Sequence, residues 1–263
     1  MDVYDLRSTI LGKAKHEGAS LAGIASVDWL RKSPSHVFYA QSDDYTGVGT
    51  PKDVDPTFDP PAWPSAASSC LVVAIEHPYS APELDWWDGR GTPGNRLLIA
   101  LMKTMRPWLR EELGIESYPS KYYIHHGGVL TKDAAVQAGL GCIGRNNLFV
   151  SPEFGPRLRL RALFLETELP PTGPTDFDPC VECPAPCLKV CPSAALPAET
   201  DIPPGLEAMP LPSRDGSYDR ERCNVQMERN MAEAEAVAVD DELVIKYCRR
   251  CEFACPVGAR NSR

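Results

Sequence analysis

The stretch that decides the fold is Cys180-Val181-Glu182-Cys183-Pro184-Ala185-Pro186-Cys187-Leu188-Lys189-Val190-Cys191-Pro192. A lone Cys223 follows it, and then a shorter run, Cys248-Arg249-Arg250-Cys251-Glu252-Phe253-Ala254-Cys255-Pro256. The chain has 263 residues and 10 cysteines, yet only Cys70 and Cys142 lie outside this region. Disulfide frameworks rarely crowd cysteines into one part of a chain of this length, whereas metal centres do. We therefore expect these thiols to bind metal.

The spacing of the cysteines favours two 4Fe–4S clusters. Soft thiolates match iron, and closely spaced thiolates let one loop supply three corners of a cube. In bacterial two-cluster ferredoxins, the fourth cysteine of such a run binds the other cluster. Following that order, the first set is Cys180, Cys183, Cys187 and Cys255, and the second set is Cys191, Cys223, Cys248 and Cys251. The alternative is structural zinc on two four-cysteine sites, although zinc ribbons usually show two separated C-x2-C knuckles.

The first 170 residues have the mixed patterning of an α/β (α+β) sandwich. Apolar spacing predicts helices at about 4–17, 95–113 and 132–138, with a kink or a split at Pro107. Apolar or alternating runs predict strands at 21–27, 71–75 and 157–164. The Pro-rich run 169–174 marks a boundary, so we expect an α/β domain at 1–170 and a cluster domain at 171–263. The second domain is poor in apolar runs, and metal must replace a core there.

Net charge and hydropathy limit the cellular locations and the binding partners that we expect for this protein. The net charge of −9 repels nucleic acid on average, although a local basic patch still attracts it. Neither an export signal nor an apolar run of about 20 residues is present, so we expect a cytoplasmic protein without a membrane span. Thiols stay reduced in that compartment, which agrees with metal binding.

Several motifs invite other interpretations. Gly139–Gly144 spells G-x-G-x-x-G, but a helix precedes it and a strand follows, the reverse of a dinucleotide site. Adjacent His125 and His126 would point to opposite strand faces, and Cys142 is more typical of a buried small side chain than of a nucleophile. Three alternating arginines, Arg157, Arg159 and Arg161, either hold an acidic partner or a phosphate, or form a solvated strand face.

The segment 132–147 resembles a known family. Its core, Ala138-Gly139-Leu140-Gly141-Cys142-Ile143-Gly144-Arg145-Asn146, is similar to the AGLGxxGxN segment of epoxyqueuosine reductases and to the matching segment of corrinoid reductive dehalogenases. The resemblance implies a nitroreductase-like α/β core that cradles cobalamin, with a ferredoxin-like two-cluster domain packed against it. The implied cofactor contacts are Gly139, Gly141, Gly144, Arg145 and Asn146, since glycine lets backbone approach a flat ring.

The chain differs from epoxyqueuosine reductases at the aspartate that serves as their proton donor. The D-x-x-P-V-L-E motif of epoxyqueuosine reductases falls on 125–131, where His125 replaces the aspartate and Thr131 the glutamate. We expect His125 or Tyr123 to donate the proton instead, with Tyr122 and His126 as weaker candidates. The chain ends eight residues after Cys255, without the C-terminal extension of members that act on tRNA. With the acidic charge, this makes tRNA an unlikely substrate.

Two functions follow from these features. The first is a cobalamin-dependent oxidoreductase of a small molecule, with electrons passing from a low-potential donor such as ferredoxin or flavodoxin through two 4Fe–4S clusters. The second is a non-catalytic electron-transfer protein, which reduces or handles the corrinoid of another protein.

Overall fold

The computed structural model describes residues 1–33, 63–122, 128–196, 219–238 and 243–258. Its centre is an antiparallel four-stranded sheet in the order β1-β2-β6-β3. The strands are β1 (Leu21–Ser26), β2 (Ser69–Glu76), β3 (Ser117–Pro119) and β6 (Leu158–Leu165). A separate two-stranded hairpin pairs β4 (Cys142–Ile143) with β5 (Phe149–Val150).

Helices cover both faces of the sheet. On one face, α1 (Val3–His16) and α3 (Pro93–Leu113) pack a cluster of buried side chains against Leu71, Val73 and Leu163. On the other face, α2 (Val27–Leu30) and α4 (Thr131–Gln137) join the β4–β5 hairpin against Val72, Ala162 and Phe164. Side chains alternate between the two faces along β6, as the period of a strand requires. The mixed α/β prediction is confirmed; its nitroreductase-like detail stays a prediction.

The long helix α3 shows how local sequence sets its limits. The hydroxyl of Thr92 accepts a hydrogen bond from Asn95 N, which caps the first turn, and Pro93 occupies the first helical position. Gly114 ends the helix at φ 67°, a conformation that glycine adopts without strain. The helix continues across Pro107, so the predicted split does not occur. Within the described ranges, no helix combines the length and apolar character that a bilayer span needs.

The cysteine-rich region is built on three helices, α5 (Pro186–Lys189), α6 (Arg220–Val237) and α7 (Arg250–Phe253). Its last segment, 243–258, packs on the α/β sandwich. The Trp87 backbone forms a β-bridge with Ile245, Tyr79 Oη donates to the Phe253 carbonyl at 2.6 Å, and Arg157 Nη2 donates to the Val257 carbonyl at 2.6 Å. The two predicted domains therefore share an interface.

The predicted boundary at 170/171 lies in a segment that is bound to the sandwich. Thr172 Oγ1 accepts from Ile24 N at 2.8 Å and donates to the Ala138 carbonyl at 2.6 Å. Leu169 is buried beside the sheet, and Arg7 donates to the Pro170 carbonyl. The Pro-rich run is thus not a free linker, and the division at this point stays a prediction.

Candidate functional site

Four cysteines from two distant stretches surround one cavity. Cys180, Cys183 and Cys187 come from the first run, and Cys255 comes from the last. The empty space between them is about 340 Å³, including the part that is open to solvent. Its other lining residues include Arg145, Asn146, Val150, Pro179, Ala185, Pro186, Pro256 and Val257. This is the combination expected of the first set.

Local backbone geometry aims the first run at the cavity. Asp178 Oδ1 accepts a hydrogen bond from Cys180 N at 3.0 Å, which fixes the start of the loop. Ala185 takes a left-handed conformation at φ 49°, so the chain turns sharply before α5 begins at Pro186. The turn brings Cys187 back toward Cys180.

The thiols of the first set influence each other. Burial raises the pKa of Cys187, and the neighbouring Cys180 and Cys183 add to the effect. Burial also raises the pKa of Cys255 to about 11, against a lowering hydrogen bond from the Val257 backbone, and Cys187 and Cys180 raise it further. Four mutually repelling thiols need a cationic centre to hold them all as thiolates.

The second set also gathers in space, from three stretches of chain. Burial raises the pKa of Cys223 on α6, and the neighbouring thiols of Cys191 and Cys248 raise it further. Burial raises the pKa of Cys251 to about 12, with added contributions from Cys248, Glu252, Cys223 and Cys191. These mutual interactions place all four thiols near one another, as the predicted ligand order requires. The role of both sets as cluster ligands stays a prediction.

The thiols of the first set line one cavity. In the part of the chain that the structure describes, no three His, Cys, Asp or Glu side chains converge tightly enough to hold a single metal ion. Cys180, Cys183, Cys187 and Cys255 line the same cavity. Four thiolates around a space of that kind fit the donor chemistry of a 4Fe–4S cluster. The two remaining cysteines lie elsewhere, Cys70 in β2 and Cys142 in β4, both buried in the sandwich.

At the predicted cofactor-binding glycines, an added Cβ would meet other atoms of the protein. A Cβ on Gly139 would lie 2.7 Å from the Thr172 carbonyl oxygen, and one on Gly141 would lie 2.1 Å from the Val150 carbonyl oxygen. A Cβ on Gly144 would lie 2.9 Å from Val150 Cγ2 and 3.6 Å from Cys180 Sγ. At both positions the direction that a side chain would take is therefore filled by backbone, so only glycine fits there. The role of these glycines in holding a cofactor stays a prediction.

The other two residues of that segment lie beside both cysteine sets. Arg145 is exposed at the first cavity. Asn146 is buried, lines the same cavity, and donates through Nδ2 to the Cys251 carbonyl at 3.3 Å. Asn146 thus links the first set to the backbone of the second.

The predicted catalytic residues Tyr123 and His125, together with His126, lie outside the described residues. Their neighbour Tyr122 is exposed, and its ring lies 5.8 Å from the guanidinium carbon of Arg161. The prediction for Tyr123 and His125 therefore stays open.

The alternating arginines do not form a solvated face. Arg157 is buried and binds the Val257 carbonyl, while Arg159 binds two carboxylates. Arg161 is partly exposed, and burial lowers its pKa despite the opposing effect of Tyr122.

Sequence reasoning missed a buried ionic network next to the second set. Asp85 Oδ1 lies 2.9 Å from His77 Nδ1 and 2.7 Å from Arg159 Nε, and Asp85 Oδ2 lies 2.5 Å from Arg249 Nη1. Glu252 Oε2 accepts from Arg249 Nε at 3.0 Å and from Arg159 Nη2 at 3.2 Å, and Arg249 Nη2 also donates to Oε1. The alternation around Arg159 was the one sequence signal that pointed toward this network.

The charges in this network keep Asp85 ionised. Burial opposes ionisation, but the 2.9 Å polar contact with His77 Nδ1 and the charges of Arg159 and Arg249 outweigh it and hold the pKa of Asp85 below its ordinary value. Since Asp85 belongs to the sandwich and Arg249 follows Cys248, the network joins the two predicted domains.

Comparisons with known proteins confirm the expected resemblance. No family model matches the chain. Epoxyqueuosine reductase from Bacillus anthracis is 24% identical over 207 residues, which cover 74% of this chain and 53% of that protein. Tetrachloroethene reductive dehalogenase from Desulfitobacterium hafniense is 38% identical over 97 residues, or 34% of this chain and 17% of that protein. The chain spans about half the length of the epoxyqueuosine reductases that it matches.

Solved structures share the fold. A selenomethionine-labelled epoxyqueuosine reductase covers all of this chain at TM-score 0.66 and 18% identity, and the match covers 68% of that chain. The reductive dehalogenase NpRdhA, in complex with 3-bromo-4-hydroxybenzoic acid, covers 95% of this chain at TM-score 0.60 and 18% identity, with 31% of its own chain covered.

One expectation is wrong. An epoxyqueuosine reductase of the same fold, with TM-score 0.66 and 17% identity over 100% of this chain and 68% of that one, is solved with an epoxyqueuosine-modified tRNA stem loop. Acidic net charge and the position of the last residue therefore do not make tRNA unlikely, because local surface charge decides binding. The chain is related in sequence and in fold to epoxyqueuosine reductases and reductive dehalogenases.

Proposed function

We propose that this chain is an oxidoreductase that holds two 4Fe–4S clusters and delivers their electrons to cobalamin for the reduction of a substrate. The observation that carries the proposal is the cavity shared by Cys180, Cys183, Cys187 and Cys255. A cysteine from the last run completes a site begun by the first run, as in a two-cluster ferredoxin. The remaining four thiols interact with one another in the same crossed manner.

The chain's residues supply the sites and their separation from water. Each cluster supplies one electron at a time, and cobalamin in a reduced state supplies a strong nucleophile or reductant. The thiols of each set bind iron, and burial of Cys187 limits access of solvent to the first set. Asn146, between the two sets, fixes the Cys251 backbone beside the first cavity.

The assignment of cobalamin rests on the resemblance. Because a Cβ at Gly139 or Gly141 would clash with the chain's own backbone, close packing by itself requires glycine at both positions. Arg145, exposed at the first cavity, is the member of the predicted set that is free to meet a cofactor. We propose His125 or Tyr123 as the proton donor, since the pKa of histidine, about 6.5, suits donation near neutral pH. The electron-carrier alternative is not favoured, because the relatives are reductases and dehalogenases.

The first test is metal content. Protein purified without oxygen should contain about eight iron and eight sulfide per chain. Stoichiometric zinc without sulfide would refute the clusters. Cobalamin is then titrated and followed by absorbance, with about one bound per chain expected. Spectra that stay unchanged in excess cobalamin would refute the corrinoid step while leaving the clusters intact.

The second test is turnover, with two probes taken from the structural relatives. They are an epoxyqueuosine-modified tRNA stem loop and 3-bromo-4-hydroxybenzoic acid. Reduction of either probe by chemically reduced protein would establish the reaction and select the substrate class. His125→Ala should lower kcat and preserve iron content and cobalamin binding, whereas the adjacent His126→Ala is the matched control. Equal losses in both variants would contradict the role of His125.

A further inference from the structure

The ionic network around Asp85 spans three parts of the chain. Asp85 ends a short 3-10 turn of the sandwich, and Arg159 lies on β6. Arg249 and Glu252 lie in the last cysteine run, beside Cys248 and Cys251. The Asp85 and Glu252 side chains are only 8% and 4% exposed, and that of Arg249 is 10% exposed. Solvent therefore screens these three charges poorly, and it screens the charge of Arg159, whose side chain is 32% exposed, more strongly.

The charges in the network balance. Two carboxylates, Asp85 and Glu252, face two guanidiniums, Arg159 and Arg249, and each carboxylate contacts both guanidiniums. His77 Nδ1 also contacts Asp85, and the Arg249 side chain donates to the His77 carbonyl. A rigid, planar guanidinium bridges two carboxylates better than a lysine can. The arrangement thus fixes Arg249 between the sandwich and the second cysteine set.

We propose that Asp85 is a positioning residue that anchors Arg249 and thereby sets the reduction potential of the second centre. The inference rests on the proposed clusters. The potential of an iron–sulfur cluster depends on nearby charge and solvent exposure. A balanced network leaves little net charge next to the second set. Removal of one carboxylate leaves a buried positive charge there and makes reduction easier; removal of one guanidinium does the opposite.

The signs of the shifts separate this role from a purely structural one. Asp85→Asn and Glu252→Gln should each shift the potential of the second centre to a more positive value. Arg159→Gln should shift the potential to a more negative value. Arg159→Lys should keep the potential close to that of the wild type, because it keeps the positive charge. If the network only held the two parts of the chain together, all of these variants would lose iron or would shift the potential in the same direction.

The matched control is Asp88→Asn. Asp88 lies three residues after Asp85 and pairs with Arg96 at 2.8 Å, away from the network, with a half-exposed partner. Its loss should leave both potentials unchanged. The first centre, whose thiols do not contact the network, should keep its potential in every variant.

The experiment is an anaerobic redox titration followed by EPR, with iron and sulfide measured on each sample. Opposite shifts for acid and arginine variants, confined to one centre, support the inference. Iron-loaded variants with unshifted potentials, shifts of one sign, or loss of the second centre in Asp85→Asn, Glu252→Gln and Arg159→Gln alike would overturn it. Absence of iron from the wild-type protein would instead overturn the proposed function, so the two failures are distinguishable.

Discussion

Substitution of Cys251 and Cys255, which are four residues apart, should remove different centres. The structure places Cys255 at the cavity of the first set and Cys251 among the thiols of the second. Cys255→Ser should therefore lower iron from about eight to about four per chain by loss of the first cluster, and Cys251→Ser should give the same loss from the second. Serine is a hard oxygen ligand and a poor substitute for thiolate.

Double variants make this test sharper. Cys187→Ser with Cys255→Ser should cost no more iron than either single change, since both belong to one set. Cys251→Ser with Cys255→Ser should remove nearly all iron. The assay is anaerobic iron and sulfide analysis together with EPR of the reduced protein, and Cys70→Ala, buried in β2, is the control that keeps full iron. If the Cys251–Cys255 double variant kept about four iron, both residues would belong to one centre and the crossed order would be refuted.

Two further predictions concern the sandwich. Gly139 and Gly114 both have positive φ, +70° and +67°, but only Gly139 is covered, by the Thr172 carbonyl oxygen at 2.7 Å from a built Cβ. Gly114→Ala should cost about 1 kcal/mol and Gly139→Ala about 3 kcal/mol of unfolding free energy in urea, and equal costs would contradict the packing role. Burial raises the pKa of Cys70 from 9.0 to about 12, so the unfolded thiol ionises first. The stabilisation is complete below about pH 9 and falls by about 1.4 kcal/mol per pH unit up to about pH 12. Cys70→Ala removes this dependence. The difference in Tm between the wild type and the variant should therefore be smaller at pH 10 than at pH 8. A difference that is the same at both pH values would contradict the prediction.

The cysteine sets could be predicted from the sequence because their signal is local. Spacing within each run, and the order of the runs, predict which thiols lie close together, and the structure brings Cys255 to the cavity of the first run. The secondary structure of the sandwich could be predicted for a similar reason, since local apolar periodicity predicts α1, β2 and β6. Helix α3 continues across Pro107, where local propensity predicted a kink or a split.

The role of the glycines could not be predicted in the same way. A glycine that admits a cofactor and a glycine that admits another backbone segment look identical in sequence, because both only lack a Cβ. The atoms that cover Gly139 belong to Thr172 and Gly173, more than thirty residues away. The ionic network has the same limitation, since His77, Asp85 and Arg249 come from separate stretches without a shared pattern.

The crossed ligand sets tie metal binding to the docking of one short segment. Cys248 and Cys251 belong to the second set and Cys255 to the first, so segment 243–258 must be in place before either site is complete. Two contacts hold the end of that segment on the sandwich: Arg157 to Val257 and Tyr79 to Phe253. A change in a ligand should therefore affect one centre, whereas a change that loosens this docking should affect both. If both sets bind metal as proposed, the sandwich is the template on which they close, and this template would compensate for the scarcity of apolar residues in the cysteine-rich region.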